Sequence, residues 1–275
     1  MTISRADASR QLESRGHRAR RSLGQNFVVD PNTVRRIARL AGTGPGDAVV
    51  EIGAGLGSLT LALAETGADV TAVEIDTNLL PLLEENVGHL PNVRVVNADA
   101  TTLDWTVLLA GRDDWKLVAN LPYNVATPLV ADVLDHVPAV RSIFVMVQKE
   151  VGERLAAVPG DDAYGAVSVK VAFHATASIA GVVPPTVFLP RPNVDSALVS
   201  IVRRAEPVDA TVDRDALFRL VRAGFAKRRK MLRGALAGMV DEDRFARAGV
   251  APTARAEELS VHDWVRLLRA ARTAE

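Results

Sequence analysis

The sequence predicts an α/β fold in which helices cover both faces of a mostly parallel sheet. From residue 48 onward, short apolar runs alternate with stretches whose apolar residues recur at helical spacing. Strict alternation of strands and helices is typical of a parallel sheet. A glycine-rich stretch follows the first of these strands, where a tight turn into a helix is expected. The predicted strands are 48–52, 70–73, 93–96, 117–119 and 142–147, and the predicted helices are 59–65, 79–87, 103–109 and 127–136.

A helix is also predicted ahead of the first strand. Asp30 can cap its N-terminus, and Pro31 suits the first helical position because its fixed backbone angle is already helical. Val34, Ile37, Leu40 and Ala41 follow at helical spacing.

After residue 147 the sequence predicts an antiparallel hairpin at the end of the sheet. Residues 164–173 and 197–202 alternate or run apolar, as strands do. The proline-rich loop 184–192 lies between them. Prolines stiffen this loop and could hold Phe188 at the rim of a site, although from these residues alone a core position beneath the loop is the preferred explanation of Phe188.

The C-terminal region is predicted to be a small helical domain. Residues 205–213 resemble a linker, and apolar residues recur at helical spacing beyond it. The last helix begins at Ser260, with Asp263 in the capping-box position. We therefore expect a basic flexible arm at 1–22, an α/β domain at 23–205 and a helical domain at 206–275.

Composition narrows the range of functions. The chain has 275 residues and 48% hydrophobic residues, which is typical of a globular protein. Because it contains no cysteine, disulfides and thiolate metal sites are excluded, and we expect no metal. No apolar run approaches the ~18 residues of a membrane span, so we expect no membrane partner and take a cytoplasmic location as the default. Nothing in the sequence demands more than a monomer.

Charge is segregated along the chain, although basic and acidic residues are equal in number. Residues 47–115 contain twelve acidic residues and two arginines, whereas residues 216–240 contain seven basic residues and no acidic one. Residues 1–24 contain six arginines and two acidic residues. One such run is most simply a solvated helix face, but the combination favours a cationic or neutral ligand in the middle and nucleic acid at the ends.

The glycine-rich stretch has a composition suited to binding a ligand. Gly53, Gly55 and Gly57 alternate with larger residues, and Glu51 precedes them. Such a turn lets the backbone approach a ligand closely. The spacing differs from the G-x-G-x-x-G of dinucleotide sites, and no Gly-Lys-Ser/Thr follows, so it is not a phosphate-binding loop. An acid beside the turn would also repel a pyrophosphate.

Acidic residues follow the next two strands as well. Glu74 comes at the position where an acid commonly holds ribose hydroxyls, and Asp99 is expected near an adenine amine. Each acid alone is more simply a helix cap or a surface carboxylate. Beside a glycine-rich turn, however, three acids at successive strand ends favour S-adenosyl-L-methionine, which carries ribose, adenine and a sulfonium cation but no phosphate.

The strand at 117–119 ends in Asn120-Leu121-Pro122-Tyr123. An amide both donates and accepts hydrogen bonds, and a tyrosine ring can stack on a base. These residues could therefore hold an adenine at the carboxyl edge of the sheet. A proline turn with a half-buried tyrosine is the simpler alternative.

Taken together, these motifs resemble those of known enzymes. Residues 51–57, Glu74, Asp99 and residues 120–123 resemble class I methyltransferases that modify N6 of adenine. Residues 22–27, 188–196 and 225–232 are similar to one family among them, the ribosomal RNA small-subunit adenine dimethyltransferases (the KsgA/RsmA family). The resemblance extends from Ser22 to Trp264. The chain departs from the family pattern at Val28, Asn193 and Gly234.

The resemblance implies roles for individual residues. It implies contacts with S-adenosyl-L-methionine for Gln25, Asn26, Val28, Glu51, Gly53, Gly55, Gly57, Glu74, Ile75, Asp99, Ala100 and Asn120. The same resemblance implies that adenine is held by Asn120, Leu121, Pro122, Tyr123 and Phe188. RNA contacts are implied for Arg222, Lys227, Arg228, Arg229, Lys230 and Arg233.

The resemblance also implies an activity: S-adenosyl-L-methionine-dependent N6,N6-dimethylation of adenines in a hairpin loop of 16S rRNA, with the immature small ribosomal subunit as partner. Three alternatives are considered. They are a 23S rRNA methyltransferase conferring macrolide-type resistance, a DNA adenine methyltransferase, and an RNA-binding assembly factor whose catalysis is secondary.

Overall fold

The structure is a computed structural model that describes residues 2–17, 19–20, 23–122, 125–227 and 229–272. Its helices are α1 Arg5–Ser14, α2 Pro31–Leu40, α3 Ser58–Ala64, α4 Leu80–Val87, α5 Trp105–Leu108, α6 Ala126–His136, α7 Lys149–Ala156, α8 Ala166–His174, α9 Arg214–Ala226, α10 Leu232–Ala235, α11 Glu242–Ala248 and α12 Val261–Arg272. Its strands are β1 Phe27–Val28, β2 Ala48–Ile52, β3 Asp69–Glu74, β4 Val93–Asn97, β5 Trp115–Asn120, β6 Val140–Gln148, β7 Ala175–Val183, β8 Phe188–Leu189 and β9 Ser196–Arg203.

Seven strands form the main sheet in the order β4-β3-β2-β5-β6-β9-β7. The pairs from β4 to β6 are parallel, and β9 pairs antiparallel with β6. The chain runs outward from β2 to β4 and then returns to place β5 on the other side of β2. Strand order therefore reverses between β2 and β5, which is where open α/β sheets bind ligands. The predicted mostly parallel sheet is confirmed.

Local sequence accounts for the start of α2 as predicted. The Asp30 carboxylate accepts a hydrogen bond from the Thr33 amide at 2.9 Å, and Pro31 occupies the first turn. Val34 and Ile37 are buried. Thus the capping signal and the apolar spacing agree on one helix.

The chain divides into two compact units. The first contains residues 1–152 and 178–202, and the second contains residues 153–177 and 203–275. The second unit has its own apolar core, in which Phe173, Phe218 and Trp264 are buried. This division differs from the predicted boundary near residue 205, because Tyr164, Val169 and Phe173 pack in one core with the C-terminal helices.

The prediction of a flexible arm at residues 1–22 is wrong for most of its length. Residues 5–14 form α1, which begins with a capping box between Ser4 and Asp7. Ala8 and Leu12 are buried in a core with residues of α3 and α4. Only these few apolar residues mark the buried face, so the sequence looked like a solvated basic segment.

The predicted strand at 164–173 is also wrong, because these residues form α8. Apolar residues alternate there, but Ser168 completes a helix start: its hydroxyl accepts from the Gly165 amide at 3.0 Å and donates to the Arg154 carbonyl at 2.6 Å. Phe173 then packs edge-to-face on Phe218 with ring centroids 5.6 Å apart. The unpredicted strand β7 follows and lies beside β9.

Within the described ranges, no helix is both long and apolar enough to cross a membrane.

At the start of α12, the predicted capping box is confirmed. The Ser260 amide donates to the Asp263 carboxylate at 2.8 Å, and the Asp263 amide donates to the Ser260 hydroxyl at 3.3 Å.

Candidate active site

A pocket lies at the carboxyl ends of β2, β3 and β5, where strand order reverses. Residues 23–28 cover one side of it, and the glycine-rich turn after β2 forms another. Of the residues predicted to bind cofactor or adenine, it brings together Gln25, Asn26, Val28, Glu51, Gly53, Gly55, Glu74, Ile75, Asn120, Leu121 and Pro122.

The glycine-rich turn needs its glycines for conformation and for space. Gly53, Gly55 and Gly57 all have positive φ, at 75°, 60° and 86°. A Cβ on Gly55 would lie 3.1 Å from the Phe27 ring, and one on Gly57 would lie 2.8 Å from Val87. Gly57 is not among the pocket-lining residues; instead it lets the start of α3 pack closely on α4.

Glu74 joins β3 to the glycine-rich turn. One carboxylate oxygen accepts from the Gly55 amide at 2.7 Å, and the other accepts from the Asp76 amide at 2.8 Å. Burial raises the pKa of Glu74, and these backbone hydrogen bonds oppose that shift. Each oxygen retains a second lone pair, so the carboxylate can still accept from the hydroxyls of a ligand.

Glu51 is the most strongly perturbed acid of the pocket. Its side chain is buried, and Thr60 donates a hydrogen bond to it at 2.6 Å. Burial raises the pKa of Glu51 to about 8; the Thr60 hydrogen bond opposes the rise, and the charge of Glu74 adds to it. Burial therefore favours the protonated form of Glu51, and a cation bound beside it would favour its ionised form.

We expect the free energy of unfolding of this protein to decrease as pH rises, because of Glu51. The folded state keeps its proton up to about pH 8, whereas the unfolded chain releases it near the ordinary value of 4.5. Stability from this group is fully present below pH 4.5 and is lost as pH rises through 8, at no more than about 1.4 kcal/mol per pH unit. Glu51→Gln cannot ionise, so its stability relative to the wild type should increase from pH 5 to pH 8 in urea titrations. Parallel profiles for the two proteins would contradict the assignment.

Asn120 ends β5 at the opposite wall from Glu74. Its Nδ2 donates to the Asn26 carbonyl at 2.9 Å, which leaves Oδ1 as the acceptor atom of this side chain. The Leu121 amide donates to the Met146 carbonyl, and the Pro122 carbonyl accepts from the amides of Val125 and Ala126 at the start of α6. Among the described residues, no donor reaches the Leu121 carbonyl. The Asn120 amide oxygen and the Leu121 carbonyl are thus two acceptors at one strand end.

Some predicted site residues lie elsewhere. Phe188 is not at the rim: β8 pairs with β1, which places Phe188 opposite Val28 and fully buried in the core. Asp99 and Ala100 follow β4 and do not line the pocket, and the Asp99 carboxylate accepts from the Thr101 amide and hydroxyl. Tyr123 and Arg228 lie outside the described residues.

Several residues in or next to the pocket were not predicted. Asp76 is buried behind Glu74 and receives a hydrogen bond from Gln25. Ser58 and Leu79 line the pocket. The Ser58 hydroxyl is buried and has no hydrogen-bond partner among the described residues. Ser58 could have been predicted from its position in the first turn of α3, directly after the glycine-rich turn. Asp76 could not, because no residue near it in the chain indicates that Gln25 is its partner.

The pocket fits S-adenosyl-L-methionine better than a phosphorylated ligand. Glu51 and Glu74 are buried and line it, and no Lys, Arg or His that could hold a phosphate is among the described residues that line it. The Ser58 hydroxyl supplies an unused donor and acceptor. The described residues also contain no group of three or more side chains suited to hold a metal ion. Glu74, Gly53, Gly55 and Ser58 are the residues that would hold such a cofactor.

The second unit presents a basic surface. Arg222, Lys227, Arg229, Lys230 and Arg233 are exposed on α9, on α10 and on the segment between them.

Comparisons with known proteins agree with this site. The family described as "Ribosomal RNA adenine dimethylase" matches residues 16–272. The chain is 46% identical to the "Ribosomal RNA small subunit methyltransferase A" of Bifidobacterium adolescentis, over 96% of this chain and 92% of that protein. It is 48% identical to the protein of the same name from Cutibacterium acnes, over 96% and 93%. The crystal structure of the 23S rRNA methyltransferase ErmE is similar with a TM-score of 0.69 and 27% identity, over 89% of this chain and 99% of that one.

Proposed function

Because the chain belongs to the ribosomal RNA adenine dimethylase family, we propose that it dimethylates N6 of adenines in a hairpin loop of 16S rRNA during small-subunit assembly. As a member of the family it is an rRNA adenine methyltransferase that uses S-adenosyl-L-methionine. The observation that carries the proposal is the pair of acceptors at the end of β5, which lie beside the cofactor pocket.

The reaction is a displacement at carbon. S-adenosyl-L-methionine supplies a methyl group activated by a cationic sulfur. The adenine N6 lone pair is delocalised into the ring, so the enzyme must hold the amine in a geometry that frees it. In this proposal Asn120 Oδ1 and the Leu121 carbonyl accept the two N6 hydrogens, and Tyr123 stacks on the base. As the N–C bond forms, the bond between the methyl carbon and sulfur would break and S-adenosylhomocysteine would leave. The methylated amine would then lose its proton to solvent, so positioning dominates the rate.

Two observations bear on which ribosomal subunit is the substrate. The small-subunit relatives are 46% and 48% identical over nearly their full length. ErmE, which is named as a 23S rRNA methyltransferase, is 27% identical. These identities support the small subunit over the large one.

Transfer of radiolabelled methyl groups separates these possibilities. The substrates are immature 30S subunits, mature 50S subunits and naked DNA, and each is tested with the wild type. We expect label in 30S subunits and none in the other two. Label in 50S subunits or DNA without label in 30S subunits would overturn the proposal.

We also propose that the basic surface of the second unit binds RNA phosphates. Five exposed cations lie close together in the chain there. Removing two of them, in Arg229→Ala/Lys230→Ala, should weaken RNA binding and flatten its salt dependence by about 0.7 in slope for each phosphate that is no longer bound. Fluorescence anisotropy with a labelled 16S hairpin at 50–200 mM KCl measures both quantities. Arg35→Ala is the control. Arg35 lies on α2 and is exposed, but it forms an ion pair with Glu65, the residue that follows α3. If the salt dependence of RNA binding keeps the wild-type slope, Arg229 and Lys230 do not contact RNA phosphates.

The remaining expectations belong to the same proposal. A cytoplasmic location follows from a ribosomal substrate. A monomer is sufficient, because every residue proposed for chemistry comes from one chain.

A further inference from the structure

Asp76 is a buried carboxylate with an unusual number of partners. Its side chain is fully buried, and it lies two residues after Glu74. One oxygen accepts from Gln25 Nε2 at 2.8 Å, and the other accepts from the Asn78 amide and side chain at 3.1 and 2.9 Å. Arg20 lies 3.3 Å from it. Burial alone would raise the pKa of Asp76, but these hydrogen bonds and the Arg20 charge bring it below its ordinary value.

The partners on the N-terminal side are tied to each other. Gln25 Oε1 accepts from the Arg20 amide at 2.8 Å and lies 3.3 Å from His17 Nε2. His17 is itself 3.9 Å from the Asp76 carboxylate and nearly buried. The Gln25 side chain is therefore occupied by Asp76 and by its own segment. A direct hydrogen bond to the cofactor is not the main use of this amide.

The backbone of Asp76 faces the other way. Its amide donates to Glu74 Oε1, the carboxylate that also accepts from Gly55 in the glycine-rich turn. Gln25, Glu74 and Gly55 all line the pocket, whereas Asp76 does not. One residue behind the pocket thus connects two of its walls: the segment at residues 23–28 and the acid at the end of β3.

We propose that Asp76 is a positioning residue for the cofactor, which fixes the segment of His17, Arg20 and Gln25 against Glu74. It contributes to affinity without touching the ligand. Because coupling is reciprocal, bound ligand must in turn hold the N-terminal segment in place. In the arginine-rich N-terminal segment, Arg20 takes part in this positioning through its ion pair with Asp76.

Binding of S-adenosylhomocysteine without RNA tests this inference apart from the choice of RNA. By calorimetry, Asp76→Asn should raise Kd about 10-fold, within the usual range of such coupling. In steady-state assays, KM for S-adenosyl-L-methionine should rise while kcat at saturation stays near the wild-type value, because the chemistry does not involve Asp76. A loss of structure would lower kcat instead. Asp47→Asn is the control: Asp47 pairs with Lys116 at 2.8 Å at the other end of the same sheet.

A double-mutant cycle gives the specific signature. If Gln25 acts through Asp76, Gln25→Met should raise Kd in the wild type and add nothing in Asp76→Asn. Full additivity would mean that Gln25 contacts the ligand itself, which would overturn the inference. So would a wild-type Kd for Asp76→Asn.

Gln25→Met alone keeps the test decisive if Asp76→Asn does not fold. S-adenosylhomocysteine should protect Arg15 and Arg20 of the wild type from trypsin, and this protection should be lost in Gln25→Met. Undiminished protection together with wild-type affinity would overturn the proposal.

Discussion

Replacing Asn120 by alanine should lower kcat for methyl transfer by about 100- to 1000-fold, the usual cost of removing one positioned hydrogen-bonding group from a reacting centre. The side chain has two tasks: Nδ2 holds the Asn26 carbonyl at 2.9 Å, and Oδ1 is proposed to hold the adenine amine. Alanine removes both. Single-turnover transfer to 30S subunits at saturating cofactor measures the chemical step.

Asn120→Asp separates the two tasks. It keeps an oxygen for the amine but loses the donor to Asn26, and its charge faces a carbonyl. We expect a raised KM for S-adenosyl-L-methionine. The kcat for methyl transfer should lie between the values for the wild type and Asn120→Ala. Asn92→Ala is the matched control. Asn92 lies just before β4, and its Nδ2 likewise donates to backbone carbonyls, those of Ala64 and Ala68. Transfer by Asn120→Ala within about threefold of the wild type would remove Asn120 from the mechanism, since such a change is under 1 kcal/mol.

The parts of this site that local sequence specifies were predictable. A strand followed by alternating glycines allows few conformations, and the observed positive φ angles at Gly53 and Gly55 follow from it. Asn120 could be placed because a polar residue that ends a buried strand must lie at the edge of a sheet. These inferences need only neighbours along the chain.

The errors arose where long-range contacts decide. Gln25 does line the pocket, but its hydrogen-bond partner Asp76, which is 51 residues away, was not predicted. Phe188 was expected at the rim, and only the pairing of β8 with β1 reveals that it is core. The alternation at 164–173 is compatible with a strand, and packing in the second unit selects the helix instead. In each case the local pattern allowed two outcomes, and the tertiary structure chose one.

A large loss of stability is expected from a substitution at Gly224 in α9. A Cβ there would lie 2.4 Å from Cη2 of Trp264, whose side chain is fully buried. In an open helical position, glycine to alanine stabilises by about 1 kcal/mol. Here overpacking against a rigid ring should outweigh that gain, so that Gly224→Ala lowers the free energy of unfolding by about 1–3 kcal/mol. Urea titration followed by tryptophan fluorescence measures the change.

Gly234→Ala is the matched control in the same unit. Gly234 lies within α10, and a Cβ there would meet nothing within 4 Å. Alanine should leave stability unchanged or raise it by up to about 1 kcal/mol. The opposite signs expected at two helical glycines separate the steric effect from helix propensity.

A second substitution tests whether the indole causes the penalty at Gly224. Trp264→Phe removes the ring atoms nearest to the new Cβ, and it sacrifices no hydrogen bond among the described residues because Trp264 Nε1 has no partner there. The smaller ring leaves a cavity, so Trp264→Phe alone is destabilising. In its background the added methyl of Gly224→Ala enters that space, and its penalty should shrink or reverse. Equal penalties in both backgrounds would place the strain in the helix backbone instead of at the indole.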